Sequence, residues 1–259
     1  MLLLVDAGNT RIKWAVVDSA HAQTPGTWHA SGSVARIDVA QLVQAWRDFK
    51  IDRILLSNVA GAAMRDELEK TVARLTGIKP VAMEWFASVA ALAGIRNQYL
   101  NPAQLGSDRF AAVIGAHAML PDRHLVVATC GTATTIDAVN ADGVFVGGMI
   151  LPGLGLMASS LAKNTAQLPE VALHANAAQP FADRTDAAIV SGCLAAQAGA
   201  IERAVAAHAN AHPNDEVCCI LAGGAADLIA PQLSIACERI DNLVLIGLHT
   251  VAIHTLPTC

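Results

Sequence analysis

The clearest hydrophobic pattern lies at the start of the chain, where the apolar run at residues 2–5 ends at Asp6. A continuous apolar run of this kind predicts a buried strand, so Asp6 is expected at the edge of a sheet. Residues 8–10 (Gly-Asn-Thr) then predict a tight turn. Such a turn, with Arg11 or Lys13 beside it, is able to hold phosphate oxygens, while the carboxylate holds a hydrated divalent cation. An ordinary hairpin turn explains the same residues.

A second segment repeats this plan about half a chain later. The apolar residues 125–128 continue through Thr129 and Cys130 into Gly131 and Thr132, and a β-rich stretch follows. Two such loops at this spacing indicate two related halves. Loops that face each other across a cleft can grip one triphosphate from opposite sides. The duplication resembles the acetate kinase, sugar kinase, Hsp70 and actin superfamily, which implies an α/β, two-domain actin-like fold with duplicated ribonuclease H-like halves.

Strand and helix patterns alternate through the rest of the chain. In the first half we predict a hairpin, a third strand, a helix, a buried strand and a helix, over about residues 2–18, 28–34, 39–49, 54–59 and 64–75. A further helix over residues 108–120 marks the division, with halves at residues 1–116 and 117–259. The long helical stretch 185–208 is rich in Ala and Gly, which suits either a dimer seam or an internal core face.

Composition excludes several classes of protein. The 259 residues are 54% hydrophobic and 15% charged, which is enough to bury a large core. No uninterrupted stretch of about 20 apolar residues predicts a membrane span, and the first apolar run lacks the basic flank of a signal peptide. The net charge of -5 argues against a nucleic-acid partner. We therefore expect a cytoplasmic protein that binds neither nucleic acid nor membrane.

The six cysteines and nine histidines show no spacing typical of a metal site. Cys218 and Cys219 are adjacent, and no C-x-x-C pair occurs, so we expect small buried thiols in a reducing compartment. Cys130 lies in the second loop, where packing is the expected role.

A third motif lies between the two loops, where Gly106, Ser107, Asp108 and Arg109 precede a helical pattern. By periodicity alone, Ser107 or Asp108 caps the helix and Arg109 is a surface charge. Between two nucleotide loops, Asp108 also suits a general base that takes a proton from an attacking hydroxyl. Arg109 then suits a substrate carboxylate or the transferring phosphoryl group. The residues alone leave both interpretations open.

Taken in order, these motifs resemble the type III pantothenate kinases of bacterial coenzyme A synthesis. The matching segments are residues 6–10, 106–109 and 131–137, followed by the glycines at 147–148 and the Pro-Gly pair at 152–153. The resemblance implies transfer of the γ-phosphoryl group of ATP to the primary hydroxyl of pantothenate. It also implies a homodimer whose pantothenate pocket draws residues from both subunits.

The resemblance assigns roles to individual residues, with Asp108 as the base. The positions that match ATP contacts are Asp6, Ala7, Gly8, Asn9, Thr10, Arg11, Ile12, Lys13 and Thr132. The positions that match pantothenate contacts are Tyr99, Gly106, Ser107, Asp108, Arg109 and Thr185. Thr185 is expected to cap a helix as well. The turn at residues 223–224 resembles one that lies near adenosine in this superfamily, although a plain turn explains it equally.

One position departs from the family pattern. Many members have an Asp two residues before the glycine of the second loop, where it helps to hold a monovalent cation, and this chain has Thr129 there. A hydroxyl supplies no full charge, so we expect only a weak site for K⁺ or NH₄⁺. Asp6 is in place, so Mg²⁺ is expected with ATP.

Two other functions suit the same scaffold. A regulatory accessory protein with little or no kinase activity would explain the weakened cation site, but Asp6 and Asp108 argue for an enzyme. The other function is phosphoryl transfer to a different acceptor. Tyr99 and Thr185, which match pantothenate contacts, argue against it.

Overall fold

The computed structural model describes residues 1–76, 81–173 and 180–255. The chain forms two compact units. The first unit comprises Met1–Pro121 and the segment that begins at Asn242, and the second unit comprises Asp122–Asp241. The division after residue 116 that we predicted therefore falls within a helix of the first unit, and the end of the chain belongs to the first unit rather than the second.

The first unit begins with a hairpin and then alternates helices and strands. Its elements are β1 (Leu2–Ala7), β2 (Arg11–Val17), β3 (Ala30–Ala35), α1 (Leu42–Trp46), β4 (Arg53–Asn58), α2 (Ala62–Thr76), β5 (Ala82–Trp85), β6 (Ala91–Leu92), β7 (Ile95–Asn97) and α3 (Ser107–Met119). Short 3-10 helices cover Arg36–Gln41 and Pro102–Gln104. The predicted hairpin, strands and two later helices are confirmed. The helix predicted over 39–49 is shorter, because its first residues belong to the 3-10 helix and the α-helix covers only Leu42–Trp46.

The second unit repeats the plan of strands followed by helices. Its elements are β8 (His124–Cys130), β9 (Ala133–Val139), β10 (Val144–Pro152), α4 (Leu154–Asn164), α5 (Thr185–Ala211), β11 (Val217–Ala222), α6 (Ala226–Ile229), a 3-10 helix (Ala230–Gln232) and β12 (Glu238–Arg239). The last helix, α7 (Leu243–His254), returns to the first unit. No helix in the described ranges has both the length and the apolarity to cross a membrane.

The strand orders of the two units correspond. The first sheet runs β3-β2-β1-β4-β5, and the strands of the second unit run β10-β9-β8-β11-β12. In each unit the central strand pairs antiparallel with the next strand in sequence and parallel with a later one. Successive residues of β1 and β8 are buried on both faces of the sheet, which explains the continuous apolar runs in these central strands. This correspondence is the duplication that the sequence indicated.

Each unit has its own hydrophobic core. Leu3, Leu4 and Val5 of β1 are fully buried. In the second unit, β8 and the inner face of α5 share one buried cluster. The helix α7 packs so closely on α3 that a Cβ atom at Gly247 would lie 1.8 Å from the carbonyl oxygen of Ala111. This close packing is why the end of the chain belongs to the first unit.

Candidate active site

Polar side chains meet where the central strands of the first unit end. Asp6, the last residue but one of β1, lies opposite Lys13 in β2 and opposite Ser57 in β4. Residues directly opposite each other in a sheet share a face. The Ser57 hydroxyl lies 2.9 Å from the hydroxyl of Ser107, the first residue of α3. Ser57 was missed by the sequence analysis, although a serine that ends an apolar strand was a usable signal.

The Asp6 carboxyl has a strongly perturbed affinity for protons. Burial, and to a smaller extent the nearby Asp108 carboxylate, raise the pKa of Asp6 from its usual value of 3.8 to about 7, against an opposing effect of Lys13. Two neighbouring carboxylates repel each other, and a cation between or beside them relieves that repulsion. Carboxylate oxygens are also the ligands that Mg²⁺ prefers. The site therefore fits the divalent cation expected at Asp6.

Asp108 lies in the first turn of α3, and its carboxylate is fixed by local contacts. Gly106 occupies the N-cap and no side chain caps the helix there, so the predicted capping by Ser107 or Asp108 is wrong. The Arg109 backbone N–H donates to Asp108 Oδ1 at 2.8 Å. A Cβ atom at position 106 would lie 2.7 Å from that oxygen, so a glycine leaves space for the carboxylate. Burial raises the pKa of Asp108, and the Arg109 contacts oppose the rise.

The Arg109 side chain is buried, with 6% of its surface exposed. Its guanidinium donates from Nη1 to the Tyr99 hydroxyl at 2.9 Å, and its Cζ lies 5.8 Å from the centre of the Tyr99 ring. The alternative in which Arg109 is a surface charge is therefore wrong. A buried guanidinium held by a tyrosine is pre-organised to bind an anion.

The first loop, residues 8–10, joins β1 to β2. The Gly8 N–H donates to the Arg11 carbonyl at 3.1 Å, which closes the turn. Asn9 and Thr10 are exposed, whereas the side chains of Ala7 and Ile12 are fully buried in the core. Ala7 and Ile12 can therefore offer a ligand only their backbone groups.

The second loop, Gly131 and Thr132, joins β8 to β9 and is backed by another segment. The Gly153 N–H donates to the Thr132 carbonyl at 2.9 Å. A Cβ atom at position 153 would lie 2.1 Å from the Gly131 carbonyl oxygen, so no other residue type fits there unchanged. The Ala225 N–H donates to the Cys130 carbonyl at 3.0 Å. Three glycine-containing motifs of the sequence thus meet around the exposed Thr132.

Three remaining candidates lie in the second unit. Thr129 is half-buried and lies opposite Thr135 in β9. Thr185 is exposed and is the first helical residue of α5. Arg184 occupies the N-cap without a side-chain cap, so the predicted capping role of Thr185 is wrong.

Cys130 packs in the core, and burial raises the pKa of its thiol to about 11, which keeps it protonated. The described cysteines are free.

The exposed Thr185 also lines an apolar cavity of about 570 Å³ between α4 and α5. Small residues of α5, Gly192 and Ala196, form part of its wall, and Leu156 and Leu161 of α4 form another part. The cavity lies entirely within the second unit.

Comparison with known proteins identifies relatives along the whole chain. Residues 2–225 match the family model described as type III pantothenate kinase. A type III pantothenate kinase from Herminiimonas arsenicoxydans is 75% identical over 260 residues, which covers 100% of both chains. One from Janthinobacterium sp. (strain Marseille) is 71% identical with the same coverage. One from Burkholderia mallei (strain SAVP1) is 43% identical and covers 97% of this chain and 99% of its own.

Solved structures support the fold at lower identity. A Sinorhizobium meliloti protein described as a "putative 2-dehydro-3-deoxygalactonokinase" aligns over 100% of both chains with a TM-score of 0.61 and 16% identity. A Campylobacter jejuni protein described as a "conserved putative Baf family transcriptional activator" covers 96% of both chains, with a TM-score of 0.54 and 18% identity. These likenesses concern the fold alone, and the predicted sugar kinase and actin-like α/β fold is confirmed.

Proposed function

Because this chain belongs to the type III pantothenate kinase family, we propose that it transfers the γ-phosphoryl group of ATP to the primary hydroxyl of pantothenate. The product, 4'-phosphopantothenate, is the first intermediate of coenzyme A synthesis. The observation that carries the proposal is the neighbouring pair of carboxyls, Asp6 and Asp108, in the first unit. Asp6 suits a ligand for a cation, and Asp108 suits a proton acceptor.

Asp108 is the general base of the proposed reaction. The pantothenate hydroxyl donates its proton to a carboxylate oxygen of Asp108, the hydroxyl oxygen attacks the γ-phosphorus in line, and ADP leaves. Burial raises the pKa of Asp108, which makes its carboxylate a stronger proton acceptor than an exposed one. The hydrogen bond from the Arg109 N–H fixes the orientation of the carboxylate.

Arg109 is the proposed anion-binding residue for the substrate. Pantothenate carries a carboxylate, and a buried guanidinium recognises a carboxylate or a phosphoryl group through paired N–H donors. The Tyr99 hydroxyl fixes the orientation of the guanidinium, so both residues contribute to the pocket. Gly106 and Ser107 lie beside them at the start of α3, and Thr185 is the contact that we propose from the second unit.

The ATP contacts follow from the two loops. Asn9 and Thr10 present exposed polar groups in the first loop, Lys13 offers a positive charge opposite Asp6, and Thr132 offers an exposed hydroxyl in the second unit. Asp6 would hold Mg²⁺ bound with ATP, which neutralises charge on the transferring phosphoryl group. Thr129 and Thr135 offer two hydroxyls and no charge, which fits a weak site for K⁺ or NH₄⁺.

A homodimer is the proposed assembly, with a pantothenate pocket that takes residues from both subunits. The outward face of α5 carries exposed small residues, namely Gly192, Ala195, Ala196 and Gly199. Exposed apolar side chains lie on β10 and α4, namely Val146, Met149, Ile150, Leu156 and Leu161. Burial of these side chains against a second copy would stabilise a dimer through the hydrophobic effect. Since the proposed reaction consumes ATP and the described thiols are free, we also propose a cytoplasmic location.

The test is ADP release coupled to a spectrophotometric signal, with MgATP and pantothenate, in K⁺, NH₄⁺ or Na⁺. We expect ADP formation that depends on pantothenate, and the reaction without pantothenate is the control for plain ATP hydrolysis. Absence of pantothenate-dependent ADP in every cation would contradict the proposal and favour the accessory-protein alternative. Light scattering on the same sample measures whether the active species is a dimer.

A further inference from the structure

Three histidines of the second unit converge at the end of β8 that lies away from the second loop. His124 begins β8, His208 lies in the last turn of α5, and His212 immediately follows that helix. One ring nitrogen of each lies within 4.8 Å of the other two. The ring centres are 3.8 Å apart for His124 and His212, and 5.0 Å apart for His208 and His212. Their wide separation along the chain explains why spacing in the sequence did not predict this cluster.

Two of these rings have one nitrogen engaged with an oxygen acceptor. His208 Nε2 lies 3.1 Å from the Val139 carbonyl oxygen, and His212 Nε2 lies 3.1 Å from Asn140 Oδ1. With the N–H placed at Nε2, the Nδ1 lone pair of each ring is available. Histidines that bind metals commonly use this arrangement, because the outer acceptor fixes the tautomer and the ring orientation.

His124 completes the set from the other side. Its Nε2 lies 3.5 Å from Asp215 Oδ2, and its Nδ1 is buried without a hydrogen-bond partner among the described residues. A buried polar atom with no partner is costly, and coordination of a metal ion is one way in which such an atom is satisfied. Arg123, the residue before His124 in the chain, is paired with Glu216 at 3.1 Å, so its charge is largely offset.

We propose that His124, His208 and His212 together bind one divalent transition-metal ion, with Zn²⁺ as the ion that three neutral imidazoles and one water suit. Zinc holds nitrogen ligands at about 2.0–2.1 Å in tetrahedral sites, which corresponds to nitrogens about 3.3 Å apart. On binding, the ligand nitrogens therefore move closer together, while the rings of His124 and His212 turn so that their centres, now 3.8 Å apart, separate. His212 is half-buried beyond the end of α5, so it is the ring that turns most readily.

The position of the cluster defines what the ion would do. A seven-residue strand is roughly 20 Å long, and His124 lies at the opposite end of β8 from Gly131. The ion would link the start of β8 to the end of α5 and stabilise the second unit. It would not take part in phosphoryl transfer.

The first test is a Zn²⁺ titration by calorimetry on the full chain after treatment with a chelator. We expect one ion per chain and no comparable binding of Mg²⁺, which prefers oxygen ligands. His212→Gln removes one ligand and is expected to weaken binding by at least about 100-fold, while Asp215→Asn removes the negative charge of the outer acceptor of His124 and weakens it about tenfold. His254→Gln, at an exposed histidine of α7, is the matched control and keeps the wild-type affinity.

A second measurement, the Co²⁺ spectrum, uses only the wild-type chain and so does not depend on how the variants fold. Co²⁺ added to the wild-type chain should give the intense visible absorption of a tetrahedral ion, and added Zn²⁺ should remove it. Thermal unfolding is a third measurement, in which Zn²⁺ should raise Tm for the wild type and His254→Gln but not for His212→Gln. The proposal is overturned if Co²⁺ gives only the weak spectrum of an octahedral ion. It is equally overturned if His212→Gln and His254→Gln bind Zn²⁺ alike.

Discussion

The two units share a strand order but differ in charge at the same structural position. Asp6 and Thr129 are each the last residue but one of a central strand, β1 or β8. Asp6 lies opposite Lys13, whereas Thr129 lies opposite Thr135. The backbone places both residues beside a loop, but of the two only Asp6 carries the charge on which the proposed Mg²⁺ contact depends. The duplicated fold therefore determines where these two residues lie, and the side chain at each position determines what it can bind.

The difference also has a cost in stability. A charge moved out of water into a half-buried site is unfavourable unless it is paired, and the raised pKa of Asp6 shows that it is incompletely paired. The threonine pair in the second unit carries no such penalty. A residue whose charge lowers the free energy of unfolding points to a role in function.

Asp108→Asn should have the largest effect on the activity of the first unit. The amide keeps the size of the side chain but cannot accept the substrate proton, so kcat is expected to fall at least about 100-fold. Binding of ATP, measured by calorimetry, should be nearly unchanged. Asp66→Asn, at an exposed position of α2, is the control. A near-normal kcat for Asp108→Asn would leave Asp108 with a structural role only.

The comparison between the units is tested most directly by Asp6→Asn beside Thr129→Val. Loss of a charged contact with the cation should lower kcat/KM for MgATP by about tenfold or more. The threonine variant should lose less, because a hydroxyl contributes only a dipole. The measurement is the rate as a function of Mg²⁺ and ATP for both variants. Equal losses of kcat/KM would mean that Asp6 and Thr129 contribute equally to the use of MgATP.

Gly153→Ala tests how rigidly the second loop is held. The added Cβ would collide with the Gly131 carbonyl, and overpacking of this kind costs about 1–3 kcal/mol of unfolding free energy. Gly155→Ala, two residues later within α4 and with open space around it, should be neutral or more stable by up to about 1 kcal/mol. Urea unfolding measures both. Equal stability of the two variants would show that the loop adapts.

The charge difference should also appear in the pH dependence of stability without Mg²⁺. Because the folded pKa of Asp6, about 7, lies above its unfolded value of about 3.9, the folded state binds the proton more tightly. The contribution of Asp6 to stability therefore decreases as pH rises from about 4 to about 7. We expect Asp6→Asn to melt above the wild type at pH 8, and this gap to shrink toward pH 5. A gap that is constant with pH would show that Asp6 has an ordinary pKa.

The smallest expected effect is that of Thr129→Asp, which makes the second unit resemble the first. A carboxylate should lower the K⁺ concentration for half activation by about two- to fivefold, the range of a partly exposed ion pair. Rates over a K⁺ series for both proteins measure this shift. A raised KM for ATP with no change in K⁺ dependence would mean that the new charge repels the triphosphate. The cation site would then be made by other oxygens.

Local patterns in the sequence determined the strands that deliver Asp6 and Thr129, the two glycine-containing turns and the order of the motifs. Each depends on residues close together in the chain, whose apolar runs and turn residues act within a few positions. The family resemblance drawn from those motifs is confirmed by the match over residues 2–225.

Only the tertiary structure decided which distant residues meet. The contact of Ser57 with Ser107, the burial of Arg109 against Tyr99 and the return of α7 to the first unit depend on packing between separate elements. The same holds for the three histidines, which lie on a strand and at the end of a helix. Such contacts form through burial of side chains in a shared core, which the local pattern of a single segment does not record.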